Sequence, residues 1–188
     1  MTHISALRRA DPDYVILHGY VTGVWPQIIG ASRKAKMKTK FLGTFWGMEK
    51  IIADGVTKQA GPVLDGYAGV TPYRYFYEAK ESSAYRKFFA FKKSKYGDKF
   101  PGYVTTWSVQ IMFNYEMAKL AIENTIKNDK ELSAKNLINA ISKINNWDSG
   151  GYMGKPINVK NHSVPQGRIY SYKAENGLFL PISDWMTT

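Results

Sequence analysis

The residues that could do chemistry are few. The chain has three histidines, His3, His18 and His162, and no cysteine. Without a thiol there is no disulfide scaffold, no thiolate zinc site and no cysteine nucleophile. The histidines lie far apart, and none has a carboxylate or second histidine at helical or strand spacing, so no metal-ligand set forms. There is no Gly-x-Ser-x-Gly nucleophile elbow and no His-Glu-x-x-His motif. No Gly-x-Gly-x-x-Gly opens a helix. Gly154-Lys155 fails as a phosphate loop, because Ser149 stands where a glycine is needed and Pro156 where a Ser or Thr is needed. No catalytic residue, metal site or cofactor is therefore assigned, and the remaining chemistry is that of binding. His18 follows a short apolar run, where it is either a hydrogen-bonded rim residue or a ligand contact. The run Tyr73-Arg74-Tyr75-Phe76-Tyr77 suits a base-stacking platform or a crossing segment that packs rings between elements. Arg74 suits two parallel hydrogen bonds to a carboxylate, a stack on a neighbouring ring, or a surface pair with Glu78.

The elements that would hold these residues follow from periodicity and punctuation. Residues 3–10 read as the end of a helix, and Asp11-Pro12-Asp13 as a turn. Tyr14-Val15-Ile16-Leu17 is a short apolar run, expected to be a strand buried on both faces. From Gly23 to Met37, Val24, Ile28, Ala31 and Ala35 recur at helical spacing, with Pro26 tolerated in the first turn. Lys40–Thr44 is a second strand, Gly47–Ala53 a short helix closed by Asp54-Gly55, and Gly66–Val70 a third strand ending at Thr71-Pro72. Buried strands alternating with helices predict a parallel sheet in an α/β fold. Ligands of such sheets sit beyond the carboxyl ends of the strands. Those ends read His18-Gly19-Tyr20, Thr44-Phe45-Trp46-Gly47 and Thr71-Pro72-Tyr73, all of them aromatic and rich in small residues.

The second half reads differently. Ser82–Tyr96 is an amphipathic helix with Tyr85, Phe88, Phe89 and Phe91 as its apolar side. Thr105 or Thr106 caps a helix running to about Lys127. Its apolar residues fall on most sides, so it is expected to be largely buried. Leu132–Ile144 is a further amphipathic helix with Ser133 as its cap. Gly150–Gly154 reads as a turn or hairpin. Arg168–Tyr172 alternates as a strand, Asn176-Gly177 is a hairpin turn, and Leu178–Leu180 returns.

The bulk properties set the frame. In 188 residues, 44% are hydrophobic and 22% charged, which excludes disordered, collagenous and low-complexity chains. The length suits one domain or two small ones. The net charge of +11 is concentrated in Arg33, Lys34, Lys36, Lys38 and Lys40, and in Arg86, Lys87, Lys92, Lys93, Lys95 and Lys99. Both clusters close helical segments, where cations complement the dipole and face water. No nucleic-acid-binding signature accompanies them, so a solvated face is expected over a phosphate-binding patch. No apolar run approaches the ~18–20 residues of a membrane span. The first residues lack the apolar core of a signal peptide.

The order of motifs resembles that of a known family. Asp13-Tyr14-Val15-Ile16-Leu17-His18-Gly19-Tyr20, a helix, and then Met37-Lys38-Thr39-Lys40-Phe41-Leu42-Gly43-Thr44 is similar to the second half of type I periplasmic solute-binding proteins. More narrowly, it resembles the branched-chain amino-acid (leucine/isoleucine/valine) receptors of ABC transporters. Tyr103-Val104-Thr105-Thr106-Trp107 opening a long helix fits the same pattern, as does the ending Arg168-Ile169-Tyr170, Asn176-Gly177, Ile182-Ser183-Asp184-Trp185. The resemblance covers essentially the whole chain. It implies two α/β lobes with ligand in the cleft between them, closing about a hinge. Residues 1–72 would be part of the C-terminal lobe, 73–164 part of the N-terminal lobe, and 165–188 a return to the C-terminal lobe. The chain would then be a fragment lacking the N-terminal half of the fold, with the export signal in the missing part.

The resemblance further implies a non-catalytic receptor, periplasmic or at the cell surface, that captures a small solute for an ABC permease. Its ligand-contacting tyrosine falls on Tyr20, next to His18 and Gly19. The family's amino-acid receptors hold the ligand's ammonium with an acid after the second strand. Thr44-Phe45-Trp46-Gly47 has none, and the nearest acid is Glu49. An unpartnered buried ammonium is costly. Phe45, Trp46, Tyr20 and Tyr73 would form an aromatic wall suited to an aromatic or apolar carboxylate, with plain core packing the alternative for Phe45 and Trp46. A branched-chain amino acid remains the family's own solute. An α/β enzyme and a basic nucleic-acid binder are the competing classes.

Overall fold

The structure, a computed structural model, describes residues 2–19, 22–99, 104–128, 130–159 and 163–187. The chain divides into two compact units, Met1–Pro72 with Arg168–Asp184, and Tyr73–Gly167 with Trp185–Thr188.

The first unit is α/β. Its elements are α1 (Thr2–Ala10), β1 (Tyr14–Leu17), α2 (Val24–Lys34), β2 (Lys40–Gly43), α3 (Lys50–Ala60) and β3 (Ala68–Thr71). Most of β4 (Gln166–Lys173) and all of β5 (Leu178–Pro181) complete it. The strand order is β1-β2-β3-β4-β5. β1, β2 and β3 run parallel, with Leu17 opposite Gly43 and Gly43 opposite Gly69. β4 joins β3 antiparallel, and β5 joins β4 antiparallel. The sheet is thus mixed, with a parallel core and the expected Asn176-Gly177 hairpin at one edge. Gly177 there has φ +64°, which suits glycine, and the Asn176 side chain accepts from the Leu178 N–H. The unit's core is Leu17, Ile29, Phe41, Met48, Leu64, Tyr67, Tyr170, Tyr172 and Phe179, all 2% exposed or less.

Several expectations are corrected in this unit. β1 is not buried on both faces: Tyr14 is 56% and Ile16 71% exposed, with the Lys40 ammonium over the Tyr14 ring. It is the edge strand of the sheet. Four apolar residues in a row look the same whether one face is covered or two. In α2 the buried stripe is Ile29 and Ser32, and Val24 is 60% exposed. The helix predicted to stop at Asp54-Gly55 runs on to Ala60. A mid-helix glycine costs only ~1 kcal/mol. Asp54 is held by Lys50, one turn back, and by the Tyr172 hydroxyl, which donates to it over 3.1 Å. The Tyr172 hydroxyl also lies 3.0 Å from Thr57 Oγ1.

The second unit holds α4 (Ser83–Tyr96), α5 (Thr106–Lys127), α6 (Ala134–Ser142) and β6 (Met186–Thr187), which pairs with Gln166–Gly167. Two caps follow the sequence: Thr105 accepts from the Ser108 N–H and Ser133 from the Asn136 N–H. Ser82, expected inside α4, is instead its cap and accepts from the Tyr85 N–H. An isolated antiparallel bridge between Trp147 and Ile157 brackets the glycine turn, where Gly150 and Gly151 have φ of 70° and 87°. The core is aromatic. Tyr85 meets the Tyr152 ring edge-on at 5.4 Å, and Phe113 packs on Trp147 at 5.7 Å.

α5 departs from expectation. Val109, Phe113 and Ala121 are buried, but Ile111 is 69%, Tyr115 67% and Ile126 56% exposed. Composition says how apolar a helix is, not how many neighbours it has, and within its unit α5 covers one stripe. Phe91 of α4 is likewise 56% exposed. The crossing segment behaves as the packing alternative anticipates. Tyr75 and Tyr77 stack 5.2 Å apart with planes 6° from parallel, and the Arg74 guanidinium sits 5.3 Å from the Trp185 ring centroid. Its ion pair is with Glu81 at 3.4 Å, not with Glu78, whose carboxylate accepts from the Tyr75 N–H. Among the described residues no helix is long and apolar enough to cross a membrane.

Candidate functional site

The carboxyl ends of β1 and β2 lie side by side because the two strands are parallel and in register through Leu17 and Gly43. The chain leaves β1 through His18 and Gly19, and leaves β2 through Thr44 into a 3-10 turn, Phe45–Gly47. A hydrogen bond joins the two exits: Thr44 Oγ1 lies 3.2 Å from His18 Nδ1, and the Thr44 N–H donates to the Leu17 carbonyl over 3.1 Å. Gly19 has φ +125°, a conformation L side chains rarely adopt. Phe45 and Trp46 pack with ring centroids 5.4 Å apart and planes tilted by 56°. Trp46 is 38% exposed, Phe45 is half-buried and His18 is exposed. Four of the expected residues, His18, Gly19, Phe45 and Trp46, therefore share one strand-end cluster in the first unit. The cluster presents imidazole, indole and phenyl surface.

Tyr73 belongs to the second unit, where it is 6% exposed and its ring lies 5.4 Å from Phe113. Burial pushes its phenol up to about 12. Tyr20 and His162 lie outside the described residues.

Two neighbours of the cluster escaped sequence reasoning as site components. Glu49 is 1% exposed and is the N-cap of α3, where its carboxylate accepts from the Ile51 N–H. Tyr67, just before β3, is also 1% exposed and reaches the exits of β1 and β2. Its signal was indirect: Gly43 and Gly47, four residues apart, flank the aromatic pair. A Cβ at Gly43 would fall 1.9 Å from the Tyr67 hydroxyl oxygen. At Gly47 it would fall 2.5 Å from that oxygen and 3.1 Å from the Gly19 carbonyl. Burial raises the Tyr67 phenol, so it stays protonated. In the second unit a recess of about 210 Å³ lies between α5 and α6, lined by Asn124, Asn128, Asn136, Asn139, Lys130 and Lys143. Its amide and ammonium lining differs from the aromatic strand ends. Among the described residues no group of His, Asp and Glu could hold a metal ion.

No family model and no curated protein matches the chain. Solved structures do. A branched-chain amino-acid ABC transporter protein from Thermus thermophilus with bound valine is 19% identical, with a TM-score of 0.68 over 100% of this chain and 49% of its own. A fatty-acid ABC transporter substrate-binding protein from Thermomonospora curvata is 18% identical, with a TM-score of 0.73 over 100% of this chain and 46% of its own. A solute-binding protein of an ABC transporter from Rhodopseudomonas palustris BisB5, in complex with 3,4-dihydroxybenzoic acid, is 16% identical, with a TM-score of 0.66 over 99% and 48%. The chain thus has the α/β fold of type I periplasmic binding protein lobes, in part. It spans about half the length of the solved structures it matches.

Proposed function

We propose that this chain is part of an ABC-transporter solute-binding protein, and that the strand-end cluster of the first unit is a wall of its ligand site. One observation carries this reading. The carboxyl ends of two adjacent parallel strands, where α/β sheets bind ligands, bring together His18, Gly19, Phe45 and Trp46, with the indole left open to solvent. Tyr20 and Tyr73 enter the proposal through the family resemblance alone. So does the assignment of residues 1–72 and 165–188 to a C-terminal lobe and of 73–164 to an N-terminal lobe. The role is capture and delivery to a membrane permease, in the periplasm or at the cell surface, without turnover. The ligand class favoured is an aromatic or apolar carboxylate over a branched-chain amino acid. Thr44–Gly47 offers rings and no carboxylate for an ammonium, and the nearest acid, Glu49, is buried as a helix cap.

A thermal melt of the chain against valine, leucine, benzoate and 3,4-dihydroxybenzoate tests this. Ligand stabilisation follows RT ln(1 + [L]/Kd). A midpoint raised by the aromatic acids and lowered again by Trp46→Ala supports the reading. A rise with valine or leucine alone overturns the ligand class, and no rise with any solute removes the support for a binding wall.

A further inference from the structure

α4 is a helix that its own unit barely covers: of its 14 residues only Tyr85 is buried. Between Ser82 and Lys99 the chain carries six cations, Arg86, Lys87, Lys92, Lys93, Lys95 and Lys99, against one acid, Asp98. Arg86 is committed to the start of the helix, where its guanidinium donates to the Ala79 and Lys80 carbonyls over 3.3 and 2.8 Å. Lys87, Lys93, Lys95 and Lys99 are exposed, and among the described residues no carboxylate pairs with any of them. Rings lie among these cations. Lys87, Phe91 and Lys95 follow one another at four-residue spacing and so share one face of the helix. Phe91 is 56% and Tyr96 40% exposed, and the Lys95 ammonium lies over both rings, 5.7 and 5.5 Å from their centroids. Phe88 and Phe89, half-buried and edge-to-face at 5.4 Å, add further ring surface. Beside the last turn an open recess of about 330 Å³ is lined by Phe89, Lys92, Lys93, Gly97 and Asp98.

A solvated lysine-rich face accounts for the cations but gives no reason for the rings among them. A purely apolar partner accounts for the rings but would strip water from the ammoniums and offer them nothing. A surface that presents anions over a shallow apolar layer suits both. We propose that the outer face of α4 docks on an anionic phospholipid bilayer. Lys87, Lys93, Lys95 and Lys99 meet the phosphates, and Phe91 and Tyr96 settle at the headgroup level, where aromatic rings partition. Nucleic acid would supply phosphates too, but the Lys95 ammonium already covers a face of both rings on which bases would stack. The contact is peripheral, since among the described residues no helix is long and apolar enough to cross a membrane. The inference goes beyond the solute-binding reading and does not depend on it.

The test is co-sedimentation of the full chain with vesicles of phosphatidylcholine alone and of phosphatidylcholine mixed with phosphatidylglycerol. Binding is expected to the mixed vesicles only. It is expected to be lost between about 0.1 M and about 1 M salt, as the Debye length falls from about 10 to about 3 Å. Each cation at an anionic surface contributes about fivefold in affinity, so Lys87→Gln/Lys93→Gln/Lys95→Gln is expected to weaken binding on the order of a hundredfold. The control, Lys34→Gln/Lys36→Gln/Lys38→Gln, removes the same charge from the other unit and is expected to weaken binding by less than about tenfold. All six side chains are exposed, so both triple variants are expected to melt like the wild type. Phe91→Ala is expected to weaken binding several-fold and leave its salt dependence unchanged. No binding to the mixed vesicles, equal losses from the two triple variants, or Phe91→Ala binding as well as the wild type each overturns the proposal. A single-stranded oligonucleotide that binds more tightly than the mixed vesicles at the same salt reassigns the face to nucleic acid and likewise overturns it. Melting shifts with solutes are read separately, so a failure here leaves the solute-binding reading untouched.

Discussion

Gly47→Ala isolates the contact between Tyr67 and the strand ends without any ligand. The added methyl would stand 2.5 Å from the Tyr67 hydroxyl oxygen, 3.1 Å from the Gly19 carbonyl oxygen and 3.7 Å from Tyr67 Cζ. To reach ordinary contact at 3.4 Å the hydroxyl must retreat by about 0.9 Å. The ring is 1% exposed, so it can retreat only against packed neighbours. Overpacking of this kind costs about 1–3 kcal/mol. The alanine recovers about 0.4–1 kcal/mol by restricting the unfolded chain, since Gly47 does not sit at positive φ. The net expectation is a loss of about 1–2 kcal/mol. In a Tyr67→Phe background the offending oxygen is gone and the nearest ring carbon is at van der Waals distance. Only the 3.1 Å approach to the Gly19 carbonyl then remains, so the same substitution should cost clearly less, a coupling of about 1 kcal/mol. Gly43→Ala is the internal control. Its methyl would also lie 2.7 Å from Tyr67 Cζ, so removing the hydroxyl does not rescue it. Urea unfolding followed by circular dichroism on the single and double variants measures the cycle. Equal costs for Gly47→Ala in both backgrounds would refute the claim that the Tyr67 hydroxyl is what the glycine makes room for.

Other perturbations test other parts of the fold. Phe113→Ala removes a ring that is 2% exposed and should cost about 3–5 kcal/mol, whereas Ile111→Ala, two residues away and 69% exposed, should stay within about 0.5 kcal/mol. Similar losses from the two in urea titrations would mean that α5 is covered on both sides. Gly154→Ala places a methyl 2.1 Å from three atoms of the Trp185 indole. It should destabilise by at least ~1–3 kcal/mol and shift tryptophan fluorescence, and an unchanged spectrum would count against that packing. Tyr172→Phe deletes the donor to Asp54 and the partner of Thr57, and should lower the unfolding free energy by about 1 kcal/mol; a neutral result would mean the Lys50 pair alone satisfies Asp54. Alkali should unfold the protein in a defined window. The Tyr73 phenol is pushed up to about 12, so the unfolded chain releases that proton first, near pH 10. The stability it contributes is complete below pH 10 and is lost as the pH rises through about 12. Burial moves Tyr67, Tyr152 and Tyr172 in the same direction. A urea midpoint that stays constant from pH 9 to pH 12 would contradict their burial.

What could be read from the sequence was what local chemistry determines. Thr105 and Ser133 have a hydroxyl in place just before a helix, and each is used as a cap. Asn176-Gly177 has only a few conformations, and one of them makes the β4–β5 hairpin. The strand ends could be found because small and aromatic residues clustered after apolar runs, and there Thr44 ties His18 to the β2 exit while Phe45 packs on Trp46. Burial was read less well, because it depends on neighbours that the local sequence does not name. Ile16 and Ile111 are as apolar as Leu17 and Val109, yet the first pair is exposed and the second buried, according to which side of an edge strand or single helix layer each occupies. Tyr67 was harder still. Nothing in Asp65-Gly66-Tyr67-Ala68 marks a site residue. Its role comes from two glycines twenty or more positions earlier, each a blank in its own segment, which make sense only once β3 is placed beside β2. A glycine in a strand or turn without positive φ is the trace such a contact leaves in a sequence: it marks where another side chain must come close, but not which one. Gly43 and Gly47 together narrow that choice to a single long, rigid side chain lying beneath both strand exits, a place Tyr67 fills and a shorter residue could not.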